Sequence, residues 1–409
     1  MAVPVTKVYI YFDTAYVDVT QYVASVSVNR GKSRELDRYT AGNASVTFHN
    51  DSRVFDPFNT SSIYYPNVVP RKSLKIETSN LPVFTGYIDD WDLNYDISGK
   101  SFASASVVDG FLRLSAAELD SFTATSQISS DRITAILDRP EVNWPVADRS
   151  IETGLTTLQA DVVPENENAL QYLQLVETTE NGKLFVNAAG QLTFKNRATV
   201  PPLNASIVFA DDATANAVKY NKIEVVYGSE NLYNRVTITR AGGGTPQVSD
   251  SSASQNKYGV AAFSLDGLLL TTDTEASYLA AYLVGLYDEP ELRINEVTVL
   301  LQDKTPTQVT DILDLDIADV VQVKFTPNQI GSQIDQFGIV IAVKHSIGID
   351  THSVTFGLAT TLSSPLILDN AIYGRLGGSL EAYDTSTITY DLSTVKYDGT
   401  EGYGYVLGY

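Results

Sequence analysis

Val83-Phe84-Thr85-Gly86-Tyr87-Ile88-Asp89, followed by Ser101-Phe102-Ala103-Ser104-Ala105-Ser106-Val107, decides how this chain is read. Large β-branched or aromatic residues alternate with small or polar ones, the pattern of strands that bury one face. The same texture runs upstream through Val8-Tyr9-Ile10-Tyr11-Phe12, Val17-Asp18-Val19-Thr20-Gln21-Tyr22-Val23, Ser25-Val26-Ser27-Val28-Asn29, Ala44-Ser45-Val46-Thr47-Phe48 and Leu74-Lys75-Ile76-Glu77-Thr78. Prolines in Phe55-Asp56-Pro57-Phe58 and Tyr64-Tyr65-Pro66-Asn67 exclude a central strand there and predict a turn-rich loop. Short strands at this spacing predict a small antiparallel barrel or sandwich over residues 1–115. A counterpart follows late in the chain, where Phe337-Gly338-Ile339-Val340-Ile341 precedes Ser353-Val354-Thr355-Phe356. Chance apart, this predicts an internal duplication with a barrel-closing hairpin in each half.

Between the halves the texture changes. Ser129-Ser130-Asp131 can cap a helix that carries Ile133, Ile136 and Leu137 on one face and stops at Pro140. A second helix is expected over about 166–180, with Ala169, Leu170, Leu173 and Val176 as its apolar stripe and Gly182 beyond its end. Lys183-Leu184-Phe185-Val186-Asn187 and Gln191-Leu192-Thr193-Phe194-Lys195 flank Gly190 as a hairpin, so residues 116–217 read as an α+β insert. Strands resume over 222–227 and 235–240, and a glycine-rich polar stretch over 241–256 reads as a moving loop. One helix capped near Thr272 or Asp273 turns Ala276, Leu279, Ala280, Leu283 and Leu286 inward before Pro290. Further strands over 294–301, 320–325, 338–344 and 352–358 complete a second β domain, residues 218–361, leaving 362–409 as an extended Tyr/Gly-rich tail.

Composition removes several functions. The 409 residues hold 28 Lys and Arg against 49 Asp and Glu, a net charge of -21 that repels phosphate backbones and anionic lipid heads. The first 115 residues are nearly neutral, with 11 basic and 12 acidic side chains, so the excess lies beyond them. No run reaches the ~20 apolar residues of a membrane span, and no basic-then-apolar export signal opens the chain. With no cysteine, disulfides, thiol nucleophiles and Cys-based metal sites are excluded. No specific nucleic-acid binding, no stable membrane association and no cofactor are expected.

The remaining chemistry is thin. His345 and His352, near Asp350, could hold a metal, but a hairpin puts such residues on solvent faces by default. Asp311, Asp314, Asp316 and Asp319 lack the glycine and terminal glutamate of a calcium loop and read as a solvated acidic turn. Asp89, Asp90 and Asp92 around Trp91 are the most tempting carboxylates for glycoside hydrolysis, and a polar strand edge is the plainer reading. No nucleophile elbow, His-Glu-x-x-His or Walker loop is present, and Gly402, Gly404 and Gly408 read as end-of-chain turns. No enzyme is expected.

Several passages, in order, resemble the tail hub proteins (baseplate hub or minor tail proteins) of long-tailed bacteriophages. They are Val17 to Val23, Arg30-Gly31-Lys32-Ser33-Arg34-Glu35-Leu36-Asp37-Arg38 leading to Ala41-Gly42-Asn43-Ala44-Ser45-Val46-Thr47-Phe48, then Phe55-Asp56-Pro57, Tyr64-Tyr65-Pro66-Asn67, Pro70-Arg71-Lys72 and Val83 to Trp91. Tyr233-Asn234-Arg235-Val236-Thr237-Ile238-Thr239-Arg240, Tyr287-Asp288-Glu289-Pro290 and the His345/His352 hairpin extend it to about residue 360. The resemblance implies a mainly β fold with an α+β insert, and two related small β-barrel domains in a trimeric, pseudo-hexameric ring. It also implies a structural virion protein, made in the host cytoplasm, at the distal tail tip. There it would close the tail tube, join the sixfold ring of distal tail protein or tube to threefold tip or fibre proteins, and open for DNA ejection, with DNA passing through its channel. Many such hubs continue into a peptidase or lysin region, and ending at Tyr409 argues against one here. A cell-wall hydrolase and a carbohydrate-binding attachment module are the alternatives. In the tail, Tyr383, Tyr390 and Tyr397 recur every seven residues and Tyr403, Tyr405 and Tyr409 follow, which suggests a strap that docks on a neighbouring subunit or tip protein.

Overall fold

A computed structural model describes residues 3–197, 205–212 and 216–360. Its centre is one 14-stranded sheet made of two sets of seven strands. The first set is β1 (Thr6–Phe12), β2 (Ala15–Asp18), β3 (Val23–Gly31), β4 (Thr40–His49), β5 (Ser73–Thr78), β6 (Leu81–Tyr95) and β7 (Ser101–Val108). The second is β8 (Ile207–Ala210), β9 (Val218–Lys219), β10 (Lys222–Tyr227), β11 (Leu292–Leu300), β12 (Val320–Phe325), β13 (Ile334–Ile347) and β14 (His352–Thr360). β8, expected inside the insert, is thus the first strand of the second set, pairing with β12.

The first set is ordered β3-β4-β7-β6-β5-β1-β2 and the second β10-β11-β14-β13-β12-β8-β9. Each strand of one set therefore has a counterpart seven places later. The ladders agree in detail. A bulge follows Ile88 on β6, and another follows Val340 on β13. Ile88 exchanges backbone bonds with Arg71 and Lys72 at 2.6 and 2.8 Å, as Val340 does with Ala318 and Asp319, both at 2.8 Å. Arg71 and Ala318 both take positive φ, 68° and 77°. Thr47 and Ser104 share a hydroxyl bond at 3.3 Å, and their counterparts Thr298 and Thr355 share one at 2.9 Å. This alignment places Gly86 with Gly338, one residue from the match of Phe84 to Phe337 that the sequence suggested. The outermost strands differ, since β8 runs parallel to β9 and β12 whereas β1 runs antiparallel to β2 and β5.

Among the described residues no ladder closes either set into the expected barrel. In the first set the outer edge of β3 is occupied by β13 of the other set instead of β2, and in the second β10 and β9 do not pair with each other among the described residues.

Two departures from this plan carry their own packing. The insert places α1 (Ser129–Leu137) against α2 (Ala169–Glu180), followed by the hairpin of Lys183–Val186 and Leu192–Lys195. Ser129 does not cap α1; its hydroxyl donates to the buried Glu180 at 2.8 Å. Arg132, wholly buried, donates to Tyr172 Oη at 2.6 Å and to the carbonyls of Thr125 and Gln159. Between β10 and β11 the chain builds a three-stranded sheet, Gln247–Asp250, Arg235–Arg240 and Ala262–Leu268, covered by α3 (Asp273–Tyr287). Val236, Ile238, Leu268, Leu279 and Leu283 form a separate core there. Of the two expected caps Thr272 is the one that caps α3, and Glu275 reciprocates by accepting from the Thr272 amide. The polar stretch 241–256, by contrast, contains a strand and the start of a helix, Ser252–Tyr258. A further helix, α4 (Pro306–Asp314), raises the second half above its single expected helix.

Candidate functional site

The two sets meet along one antiparallel seam. Ala342 lies opposite Gly31, Val343 opposite Arg30, Lys344 opposite Asn29, His345 opposite Val28, Ser346 opposite Ser27 and Ile347 opposite Val26. β13 reaches this partner because β12 covers its edge only as far as Ile339, before the bulge. The seam is close enough to need a glycine. Gly31 has φ 108°, Lys32 N donates to Ile341 O at 3.0 Å, and a Cβ on Gly31 would stand 2.1 Å from that same oxygen.

Buried charge locks the seam to the insert. The Arg30 side chain, 3 % exposed, donates from Nη1 to Asp316 Oδ1 at 2.6 Å, and Asp316 Oδ2 accepts the amide of Ala188 at 3.0 Å. Beside Arg30, Asp109 accepts the amides of Gly42 and Phe111 at 2.6 and 2.9 Å, and burial raises it to about 7. On the other flank Glu35 accepts from Tyr287 Oη at 3.1 Å and Asn231 Nδ2 at 3.2 Å, with burial raising its pKa. A polar cleft of about 400 Å³ opens over the seam, lined by Lys32, Glu35, Glu224, Glu296, Lys344 and neighbours.

The histidines fall in the seam rather than on solvent. His345 and His352 are 5 % and 0 % exposed, with His345 Nδ1 and His352 Nε2 3.1 Å apart. Alternation puts His345 on the inner face of β13, between Val343 and Ile347, which overrides the default for a hairpin. Desolvation holds His345 well below the usual imidazole range and His352 at about 4, so both are neutral at pH 7. Asp350 is exposed, and among the described residues no group of three or more His, Asp or Glu could hold a metal.

The acidic run 311–319 divides. Asp311 and Asp314 are exposed on α4, while Asp316 bonds Arg30 and Asp319 Oδ2 accepts the Asp316 amide at 2.8 Å. Two of the four are therefore structural ligands of the seam, not a solvated turn. Asp90 and Asp92 are exposed on β6, and Trp91 stacks on Phe55 with ring centroids 5.6 Å apart. These carboxylates line a strand edge. The tyrosines at 383, 390, 397, 403, 405 and 409 lie outside the described residues.

Among the open strand edges of the described residues, two stand where the counterpart in the other set is paired. β6 pairs with β5 only through Tyr87, and β10 pairs with β11 alone, so among the described residues the outer edges of 90–95 and 222–227 are open. Sequence reading missed both, because alternation reports which face is buried and says nothing of which edge is paired.

The fold these elements build, two β sets of one strand order joined edge to edge with an α+β insert, is similar to that of two solved tail proteins. The fold matches a 43 kDa tail protein from prophage MuSo2 of Shewanella oneidensis, with a TM-score of 0.59 at 14 % identity over 87 % of this chain and 98 % of the other. It also matches a tail protein of Neisseria meningitidis MC58, at 0.59 and 12 % identity over 90 % and 98 %. No family model and no curated protein sequence matches the chain.

Proposed function

We propose that this chain is a structural, non-enzymatic tail protein of a phage virion, acting as the hub at the distal end of the tail tube. Three copies form a ring in which six β sets imitate sixfold symmetry on the tube side, while the threefold order of the chains receives tip or fibre proteins. The observation that carries the reading is the internal duplication: two sets of the same strand order sit side by side, joined through β13 and β3. Repetition of that join around an axis produces a closed ring or an open helix, and only closure suits a tube end. The acidic excess faces the channel, where it keeps DNA from adhering as the ring opens for ejection. Residues 362–409, through Tyr383, Tyr390, Tyr397, Tyr403, Tyr405 and Tyr409, serve as the strap that docks the tip. Mass photometry and negative-stain images of the purified chain, alone and with the tube or distal tail protein, test this. Trimeric rings are expected; a monomer under both conditions contradicts it.

A further inference from the structure

The seam inside the chain is a template for a contact between chains. Matching the two sets strand by strand makes β6 the counterpart of β13 and β10 the counterpart of β3. Positions follow from the ladders: Asp90, first after the bulge on β6, corresponds to Ala342, and Glu224 corresponds to Ser27. The half of β13 beyond its bulge holds β3, whereas the equivalent half of β6 and the equivalent edge of β10 hold nothing among the described residues. We propose that these two edges pair with each other between copies, β6 of one chain adding antiparallel to β10 of the next. The register is Asp90 opposite Gly228, Trp91 opposite Tyr227, Asp92 opposite Val226, Leu93 opposite Val225, Asn94 opposite Glu224 and Tyr95 opposite Ile223. The occupant is a second copy of this chain, and the proposal rests on the hub reading while adding the edges and their register.

Four observations support that occupant. Val343, His345 and Ile347 are buried in the seam, but their counterparts Trp91 and Leu93 are half-buried and Tyr95 is 51 % exposed. Likewise Val26, Val28 and Arg30 are buried, while Ile223 and Val225 are half-buried and Tyr227 is 68 % exposed. An incomplete inner face at both edges is thus completed by joining them. Glycine recurs at the point of closest approach, since Gly228 is the counterpart of Gly31. A Cβ on Gly228 would meet only Val226 Cγ1 at 3.8 Å, so nothing among the described residues demands glycine there, whereas the carbonyl of Asp89 from an added β6 does. Finally, one step beyond Tyr95 the register sets Asp96 opposite Lys222, anion against cation.

Because the chain has no cysteine, the register can be read by oxidative cross-linking. Leu93→Cys with Val225→Cys in one chain should give covalent oligomers up to a closed ring on a non-reducing gel, and an equimolar mixture of the two single variants should give covalent dimers. Moving one partner by two residues, to Leu93→Cys with Ile223→Cys, should lower the yield about tenfold, since the disulfide spans only ~5.5 Å between Cα atoms. Gly228→Val supplies a second readout: at a dilution where the wild-type chain is monomeric it should melt at the same temperature, and at assembling concentrations it should form no ring. Rings that form without the 93–225 cross-link, or a Gly228→Val chain that assembles like wild type, overturn the proposed edges and leave the hub reading intact. Monomers alone, with and without tube protein, overturn both.

Discussion

β3 and β10 occupy the same place in two copies of one strand order, yet the structure treats them differently. β3 has a neighbour on each side, its inner face is covered, and Gly31 is held against a carbonyl. Among the described residues β10 has a neighbour on one side only, its inner face is partly bare, and a Cβ on Gly228 would meet only Val226 Cγ1 at 3.8 Å. The difference teaches that a duplicated sheet satisfies one of its two edge-to-edge joins within the chain and leaves the other outstanding. The charged lock at the satisfied join is specific to it: Arg30, which binds Asp316, has Tyr227 as its counterpart, so the outstanding join lacks a matching buried cation.

The largest effect expected is steric. Gly31→Val should cost about 3 kcal/mol or more, because a side chain there displaces Ile341 O and opens the seam, whereas Gly228→Val should stay within about 0.5 kcal/mol. Thermal unfolding of both variants at a dilution where the wild-type chain is monomeric checks the contrast; equal losses would break the equivalence of the two glycines. Next, Asp316→Ala leaves Arg30 buried without its partner and should destabilise the chain by about 3 kcal/mol, read from the shift of the denaturant midpoint. A loss below about 1 kcal/mol would mean that strand pairing alone holds the seam.

A third test uses pH. His345 and His352 are kept neutral in the folded chain, with His352 at about 4, and regain ordinary basicity on unfolding. The unfolded state therefore binds more protons below about pH 6.5, and the contribution of the pair, complete above that pH, is lost as pH falls toward 4. Leu93 and Ser101 stand at the corresponding positions of the first set. The variant His352→Ser should accordingly lose about 2 kcal/mol less than wild type between pH 7 and pH 5, measured by unfolding at each pH. The smallest effect concerns the paired positive-φ residues. Arg71→Gly and Ala318→Gly should each stabilise by about 1 kcal/mol by relieving left-handed backbone. A gain at one position and a loss at the other would show that the two turns are not equivalent.

Much of the secondary structure was legible. Alternation in Leu74 to Thr78 and Ala44 to Phe48 marks β5 and β4, and the apolar stripe with its reciprocal cap marks α3. α4 is equally legible, for Thr305, Pro306 and Gln308 form a helix start ahead of Val309, Ile312 and Leu313. The strand at Gln247–Asp250 gave no such signal, because its pattern is polar and only its ladder with Arg235–Arg240 defines it. At the seam, sequence singled out His345, His352 and Asp316 for chemistry, and packing assigns them to structure instead.

The sequence by itself determined the β character, the α+β insert, the α3 cap and the hint of duplication, since each is written within a few residues of backbone geometry and side-chain alternation. Only the tertiary structure decided the offset of the duplicated strands, the burial of the histidine pair, the meeting of Arg30 with Asp316 across 286 positions, and which edges are filled. Such contacts depend on where distant segments come to rest, and that is set by burying a whole sheet at once against the entropy of closing long loops, a sum no local pattern records.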